Sequence, residues 1–372
     1  MIPPPLDRAA APIAANLESW FAENARDYPW RRTRDPYAIL VSEVMLQQTQ
    51  ISTVLDRGYY SRWLERFPDF ASLAQAPEAE ILSAWEGLGY YRRARHLQRL
   101  AQVIMIDHAG VFPSDPAAIR ALPGIGPYTA GAIASFAFGL PEPIVDGNVA
   151  RVLARLTNDA TPIDSAAGKA RLWTAATALV RASGDPRALN SAFMELGQTI
   201  CRTGSPLCVL CPLKPHCAAS RPSALPVKSK KTTLSEVTER VFFHATSAAI
   251  LLERESGSRR TGLWKLPALP ETPDAPPPQV LLQSRYGITR FRVTLWVHAA
   301  PEAVSSWPES HEWVPRENVS SLPMGSPFRR ALNALLAQSE AAPATPPSSR
   351  HSSARRARGR YKDTDTHPPL ER

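Results

Sequence analysis

Cysteine is scarce in this chain: 372 residues contain four, and all of them lie between positions 201 and 217. A scattered disulfide framework is excluded, and thiols grouped this way suit a metal site in a reducing compartment. Long apolar runs are missing too. No stretch approaches eighteen uninterrupted apolar residues, which argues against a membrane-spanning helix. The opening MIPPPLDRAAAPIAANLESW has neither a basic start leading into an apolar run nor a small-residue cleavage site, so a cytoplasmic location is expected. Acidic residues are the minority, 34 Asp and Glu against 43 Lys and Arg, and the resulting formal charge of +9 favours a polyanionic partner such as nucleic acid. Strand signals are nearly absent before residue 220. At 44% hydrophobic content the chain can bury a large core, and its length points to two domains.

What is present gathers around residues 122 to 148, LPGIGPYTAGAIASFAFGLPEPIVDGN. Gly124 and Gly126 leave the backbone amides of the turn that starts at Leu122 bare, so they can converge on a phosphate beside the positive end of the following helix. Pro127 suits the first turn of that helix, where the amide it lacks has no partner anyway. The helix runs through Ala130, Ile133, Ala134, Ala137 and Phe138 and ends near Gly139, and Asp146 follows shortly after. The stretch reads as a DNA clamp with an acid downstream.

Upstream, Ile13, Leu17, Trp20 and Phe21 share one helical face, and Tyr28-Pro29-Trp30-Arg31 ends that helix. A second helix starts after Asp35-Pro36 and carries SEVMLQQTQ, residues 42 to 50. Its spacing turns Val41, Val44, Met45 and Ile51 to a core and leaves Glu43 and Gln47 pointing elsewhere. Gln47, Gln48 and Thr49 supply donors and acceptors that can read base edges or fill the gap left by an extruded base. In GLGYYRRARHLQRL, residues 87 to 100, two glycines break a helix before Tyr90, Tyr91 and a basic cluster. The tyrosines are placed to wedge between bases while Arg92, Arg93, Arg95 and Arg99 hold phosphates. Asp115-Pro116 caps the short helix that leads into the hairpin.

Cys201, Cys208, Cys211 and Cys217 are separated by six, two and five residues. Four thiolates on one short loop fit a [4Fe–4S] cluster, with tetrahedral zinc as the competitor. Residues 221 to 240 lack an apolar period and read as a linker. Strand-like segments follow at 241–253 and 291–299, where Phe291, Val293, Leu295 and Val297 share a face. A helix, FRRALNALLAQ, closes this second domain near residue 338. Residues 339–372, rich in Pro, Ser, Ala and Arg, read as a disordered basic tail.

SEVMLQQTQ, GLGYYRRAR, LPGIGPYTAGAI, IVDGNVARV and the four-cysteine loop occur in the order of one family, and the chain closely resembles the adenine DNA glycosylases of the MutY family, within the endonuclease III superfamily. The resemblance is dense over residues 15 to 220 and loose over 240 to 335. It implies a mainly α fold: a helix-hairpin-helix glycosylase with a six-helix barrel and a cluster domain over residues 1–220, then a smaller α+β Nudix-like lesion-reading domain over 241–338. The implied reaction removes adenine opposite 8-oxoguanine or guanine from double-stranded DNA, by a monomer. The resemblance assigns Glu43 as general acid, Asp146 as the carboxylate facing the sugar, and Tyr128 and Asn148 as its hydrogen-bonding supports. It places Gln48 and Tyr90 in the opened stack, and Trp30, Arg31, Leu46 and Glu195 around the adenine. It gives the cysteines a [4Fe–4S] cluster. Relatives that cut the strand through a Schiff base carry lysine where this chain has Tyr128, so base removal without strand cleavage is expected.

The second domain departs from the family pattern. Where members show a Phe-Ser-His loop that inspects 8-oxoguanine, this chain has Ile288-Thr289-Arg290, of which Thr289 supplies a hydroxyl, and GLWKLPAL at 262–269 is shorter than its counterpart. A glutamate-rich pyrophosphatase box is missing, so hydrolysis of that kind is not expected. The competing readings are an endonuclease III-like enzyme for oxidised pyrimidines, disfavoured by Tyr128, and a non-catalytic iron–sulfur DNA-binding protein, disfavoured by the joint presence of Glu43 and Asp146.

Overall fold

The structure is a computed structural model that describes residues 6–229, 233–257, 260–270, 276–301 and 308–341. Helices dominate the first 200 residues: α1 (Leu6–Asn24), α2 (Pro36–Met45), α3 (Ile51–Asp56), α4 (Tyr59–Arg66), α5 (Phe70–Gln75), α6 (Glu78–Ala84), α7 (Arg92–Asp107), α8 (Pro116–Ala121), α9 (Pro127–Phe138), α10 (Gly147–Leu156), α11 (Ala166–Arg181) and α12 (Pro186–Thr199). Several open on an aspartate followed by proline. Asp35, Asp115 and Asp185 each accept backbone amides of the first turn while the next residue is proline, which removes one donor that would need a partner.

Two apolar cores divide these helices. One gathers side chains of α2 to α9, from Tyr37 to Ala137, around Trp63 and Trp85. The other joins α1 to α10, α11 and α12 and reaches Leu213 in the cysteine loop. The chain therefore begins in the lobe in which its helical part ends. α9 lies between the lobes, sending Ile133 and Ala137 to the first core and Ala132 to the second. Its small residues permit that double burial. A methyl group on Gly131 would stand 2.1 Å from the carbonyl oxygen of Pro143, so only glycine fits there.

Among its described residues the second domain holds two three-stranded sheets, ordered β1-β5-β4 and β3-β2-β6, from β1 (Ser235–Phe243), β2 (Ala249–Arg254), β3 (Trp264–Lys265), β4 (Val280–Ile288), β5 (Phe291–Ala299) and β6 (His311–Pro315). β1 runs parallel to β5, and the other pairings are antiparallel. Helix α13 (Ser326–Ala341) supplies Phe328, Leu332 and Leu335 to the core of this domain.

Three sequence expectations change here. β1 starts at Ser235 rather than Val241, because pairing with β5 organises a segment with no apolar period of its own. The front of the expected linker is tied down, since Leu225 O accepts from Arg155 and Val227 O from Ile163 N. α13 continues to Ala341, and the rest of the expected basic tail lies outside the described residues.

Among the described residues the two domains meet along Glu86, Tyr91 and Arg95, and Arg95 Nη2 donates to Thr261 O. Glu86 receives both the Nε and the Nη2 of Arg329, at 2.7 and 3.1 Å, and its Oε2 also accepts the Met324 amide at 3.2 Å. The buried Tyr91 hydroxyl donates to Met324 O at 2.8 Å, and Leu263 is buried in the first helical core.

Gly131→Ala is expected to overpack the seam between the lobes and cost about 1–3 kcal/mol, read as a lower urea midpoint. Gly126→Ala, with open space around it and φ at −88°, should move the midpoint little. Equal midpoints for both variants and the parent would contradict the close contact at α9.

Candidate active site

Glu43 illustrates how the seam changes a helix. Periodicity sets it off the core face of α2, yet every residue from Tyr37 to Met45 is buried because α4, α7 and α9 pack around the helix, and Glu43 itself is 5% exposed. Removing a carboxylate from water favours its neutral form. Burial raises the Glu43 pKa to about 7; a hydrogen bond with Tyr128 opposes the rise, and the charge of Asp146 adds to it. Tyr128 enters from α9. Burial and the two carboxylates push its hydroxyl well above the ordinary phenol value, so it stays a neutral donor.

Asp146 comes from the other lobe, as the N-cap of α10. Its Oδ1 accepts the Val149 amide at 2.7 Å and its Oδ2 accepts Asn148 Nδ2 at 2.9 Å, which fixes both oxygens. Asn148 Oδ1 in turn accepts Arg151 Nη2 at 2.8 Å, and Arg151 also donates to Gly197 O and to Cys201 O. Gly197 makes this approach possible, because a Cβ there would lie 2.6 Å from that of Asn148.

Between the lobes, a narrow pocket is lined by Tyr28, Trp30, Arg31, Glu43, Leu46 and Met194, among others. Trp30 stacks on Tyr28 with ring centroids 5.3 Å apart, which presents a flat aromatic wall. Glu195, 1% exposed, pairs with Arg31 at 2.9 Å and Arg26 at 3.3 Å and so backs the pocket by holding Arg31. A cleft of about 1030 Å³ shares Tyr28, Glu43, Leu46 and Met194 with the pocket and continues past Gln47, Gln48, Thr49, Tyr128, Asp146 and Asn148. An acid that retains its proton near neutrality and a capped carboxylate therefore border one space, the arrangement that cleavage of a glycosidic bond requires.

Other expected residues lie elsewhere. Tyr90, 43% exposed, is on the turn before α7 and lines neither pocket nor cleft, and Thr289 occupies the turn between β4 and β5. Leu122 is buried in the first core and the Ile125 amide bonds to Leu122 O, so the hairpin has fewer bare amides than its glycines implied. Gly124, at φ +79°, needs its left-handed backbone and packs against His96. Within the basic cluster, Tyr91 and Arg93 turn inward and Arg95 pairs with Glu78, which leaves Arg92 and Arg99 as its exposed arginines. Inward arginines satisfy backbone carbonyls at turns, a role that charge counting cannot separate from phosphate binding.

None of the four cysteines is in a disulfide. Cys201 and Cys211 pack on the second core, and Cys201 Sγ accepts Arg155 Nη1 at 3.2 Å. Burial pushes the Cys211 thiol up to about 11, and Cys201, Cys217 and Cys208 push it further, so the four sulfurs lie within electrostatic reach of one another. Among the described residues no group of three such side chains converges tightly enough to hold an ion as placed. As thiolates these four sulfurs would repel one another, which suits a cationic group that relieves the repulsion.

Sequence reasoning missed Arg26, Arg187, Ser191, Met194 and Gln198, which also border the pocket or the cleft. Three of them had a signal. Ser191, Met194 and Gln198 recur at helical spacing beside Glu195 on α12, so one implicated residue marked the whole stripe.

The family model for the HhH-GPD superfamily of base excision DNA repair proteins matches residues 41–174. The adenine DNA glycosylase of Mycolicibacterium smegmatis is 43% identical over 202 residues, covering 54% of this chain and 67% of that protein. The human adenine DNA glycosylase is also 43% identical, over 213 residues that cover 55% of this chain and 38% of the human protein, and coverage of the mouse relative is 41%. Thus the chain spans about two fifths of the mammalian relatives it matches. A solved thermostable thymine-DNA glycosylase superposes with a TM-score of 0.51 at 30% identity, over 57% of this chain and 96% of that one. With 43% identity over two thirds of the Mycolicibacterium smegmatis relative, the chain belongs to the adenine DNA glycosylase family of the HhH-GPD superfamily.

Proposed function

We propose that the protein is a monofunctional glycosylase that removes adenine mispaired with 8-oxoguanine or guanine in double-stranded DNA. The observation that carries this reading is the buried Glu43, raised to about 7, bordering the same cleft as the capped Asp146. Adenine must first leave the stack, at a cost of about a few kcal/mol, with Gln48 and Tyr90 filling the space behind it. Trp30, Arg31 and Leu46 then bound the base in the pocket.

Glu43 gives its proton to the imidazole-side ring nitrogen of adenine. The bond between base and sugar breaks, its electron pair leaves with the base, and positive charge develops on the sugar. Asp146 stabilises that charge or captures the carbon, and water completes an abasic site and free adenine. Asn148, the Val149 amide and Tyr128 hold the carboxylates in place without reacting. Thr289, at the tip between β4 and β5, is the candidate contact for 8-oxoguanine.

Cys201, Cys208, Cys211 and Cys217 would hold a [4Fe–4S] cluster, which supplies electron-transfer chemistry or structural support when bound. No helix among the described residues is long and apolar enough to cross a membrane. We place the protein in the cytoplasm, at the nucleoid, as a monomer whose basic tail adds nonspecific affinity for DNA.

Glu43→Gln is expected to slow single-turnover adenine release by about 10²- to 10⁴-fold. For the parent protein, the proton on Glu43 is held below about pH 7 and lost above it, so the rate should fall as pH rises through that value. A rate unchanged by the substitution would remove Glu43 from the chemistry. Because Tyr128 cannot form an imine, borohydride should trap no enzyme–DNA adduct, and a trapped adduct would refute the monofunctional assignment. Purified protein should show the broad visible absorbance of an iron–sulfur centre and lose it in Cys208→Ser; four thiols with zinc alone would overturn the cluster.

A further inference from the structure

Arg93 is 8% exposed and has no carboxylate partner among the described ion pairs, although it lies in a stretch whose charges otherwise suit DNA. Its Nη1 donates to three carbonyls, Val44 O at 2.8 Å, Met45 O at 3.0 Å and Gln47 O at 2.6 Å. Its Nη2 donates to Leu88 O at 2.9 Å and Gly89 O at 3.0 Å, and reaches Thr49 Oγ1 at 3.5 Å. The guanidinium lies over the rings of Trp85 and Tyr90, at 5.2 and 5.6 Å. Its Nε is buried without a hydrogen-bond partner, so the side chain is spent on the two forks alone.

These acceptors belong to two loops. Val44 and Met45 close the helix that bears Glu43, where carbonyls lack intrahelical partners and favour a cation. Gln47 and Thr49 flank Gln48; Leu88 and Gly89 precede Tyr90. Gln48 and Tyr90 both hold left-handed backbone, at φ 60° and 49°, a strained state for residues with a Cβ that persists only where its surroundings enforce it. A planar fork with donors on two sides can bridge the loops, whereas a lysine ammonium cannot present that geometry.

We infer that Arg93 is a positioning residue that locks the Gln48 and Tyr90 loops into one rigid probe, so that the two tips enter the duplex together. The inference rests on the reading of Gln48 and Tyr90 as the residues that fill the opened stack. Arg93 touches no substrate and acts by holding both strained tips in register with the end of α2.

The test uses the full-length protein, a guanine·adenine duplex and a 2-aminopurine beside the target adenine to report extrusion. Arg93→Lys is expected to slow the fluorescence rise by about tenfold, the factor that corresponds to the loss of one typical hydrogen-bond increment, while the fall in release rate near pH 7 stays where it is. Unchanged extrusion, or a displaced pH fall, would overturn the inference, the latter because Arg93 would then act through the burial of Glu43. A cycle of Gln48→Ala, Tyr90→Ala and the double variant tests the coupling with Arg93 intact and decides the matter if Arg93→Lys does not fold. Non-additive effects on extrusion are expected, and additive effects would refute a shared probe. If the parent extrudes the base normally and releases no adenine, the glycosylase reading fails while the cycle still decides the role of Arg93.

Discussion

The close contact of two helical lobes across α9 is the constraint from which the site follows. Alanine and glycine on α9 let both cores approach, and the same closeness strips water from Glu43 on the neighbouring α2. The opposite lobe brings the start of α10 up to that space, with Asp146 capping the helix and Gly197 leaving room for Asn148. A wider seam would leave two ordinary surface carboxylates. The chemistry thus depends on what the small residues permit more than on any single catalytic contact.

Much of this was readable from sequence. Asp35-Pro36 and Asp115-Pro116 start helices where their chemistry says they should, Gly139 ends α9 in a left-handed turn, and the alternation in β5 buries Val293, Leu295 and Val297. These signals are local, carried by residues within a turn or a strand of one another. Periodicity set Glu43 apart from the apolar face of α2, but its burial depends on elements packed around that helix from elsewhere in the chain. Arg93 looked like its exposed neighbour Arg92, since nothing local distinguishes a guanidinium that satisfies distant carbonyls from one that awaits a phosphate. The start of β1 and the tethered linker were hidden for a similar reason, as both depend on partners more than fifty positions away along the chain.

The inward use of arginine recurs. Arg151 and Arg155 hold the carbonyl of Cys201, and Arg187 holds those of Arg31, Thr33 and Phe136, which fastens the segment that lines the pocket. Together with Arg93 they remove positive charge from the surface and place it at chain turns. The formal excess of base therefore overstates the charge offered to a polyanion. Part of it works as internal bracing, where a forked donor replaces several hydrogen bonds that irregular backbone cannot make for itself.

The fastening of Glu86 to Arg329 has a geometric consequence. It lies at the root of the loop that carries Tyr90, so the second domain joins the helical one directly beside that turn. Loosening the Glu86–Arg329 pair would therefore release the turn before α7 and the hold between the two domains in a single step.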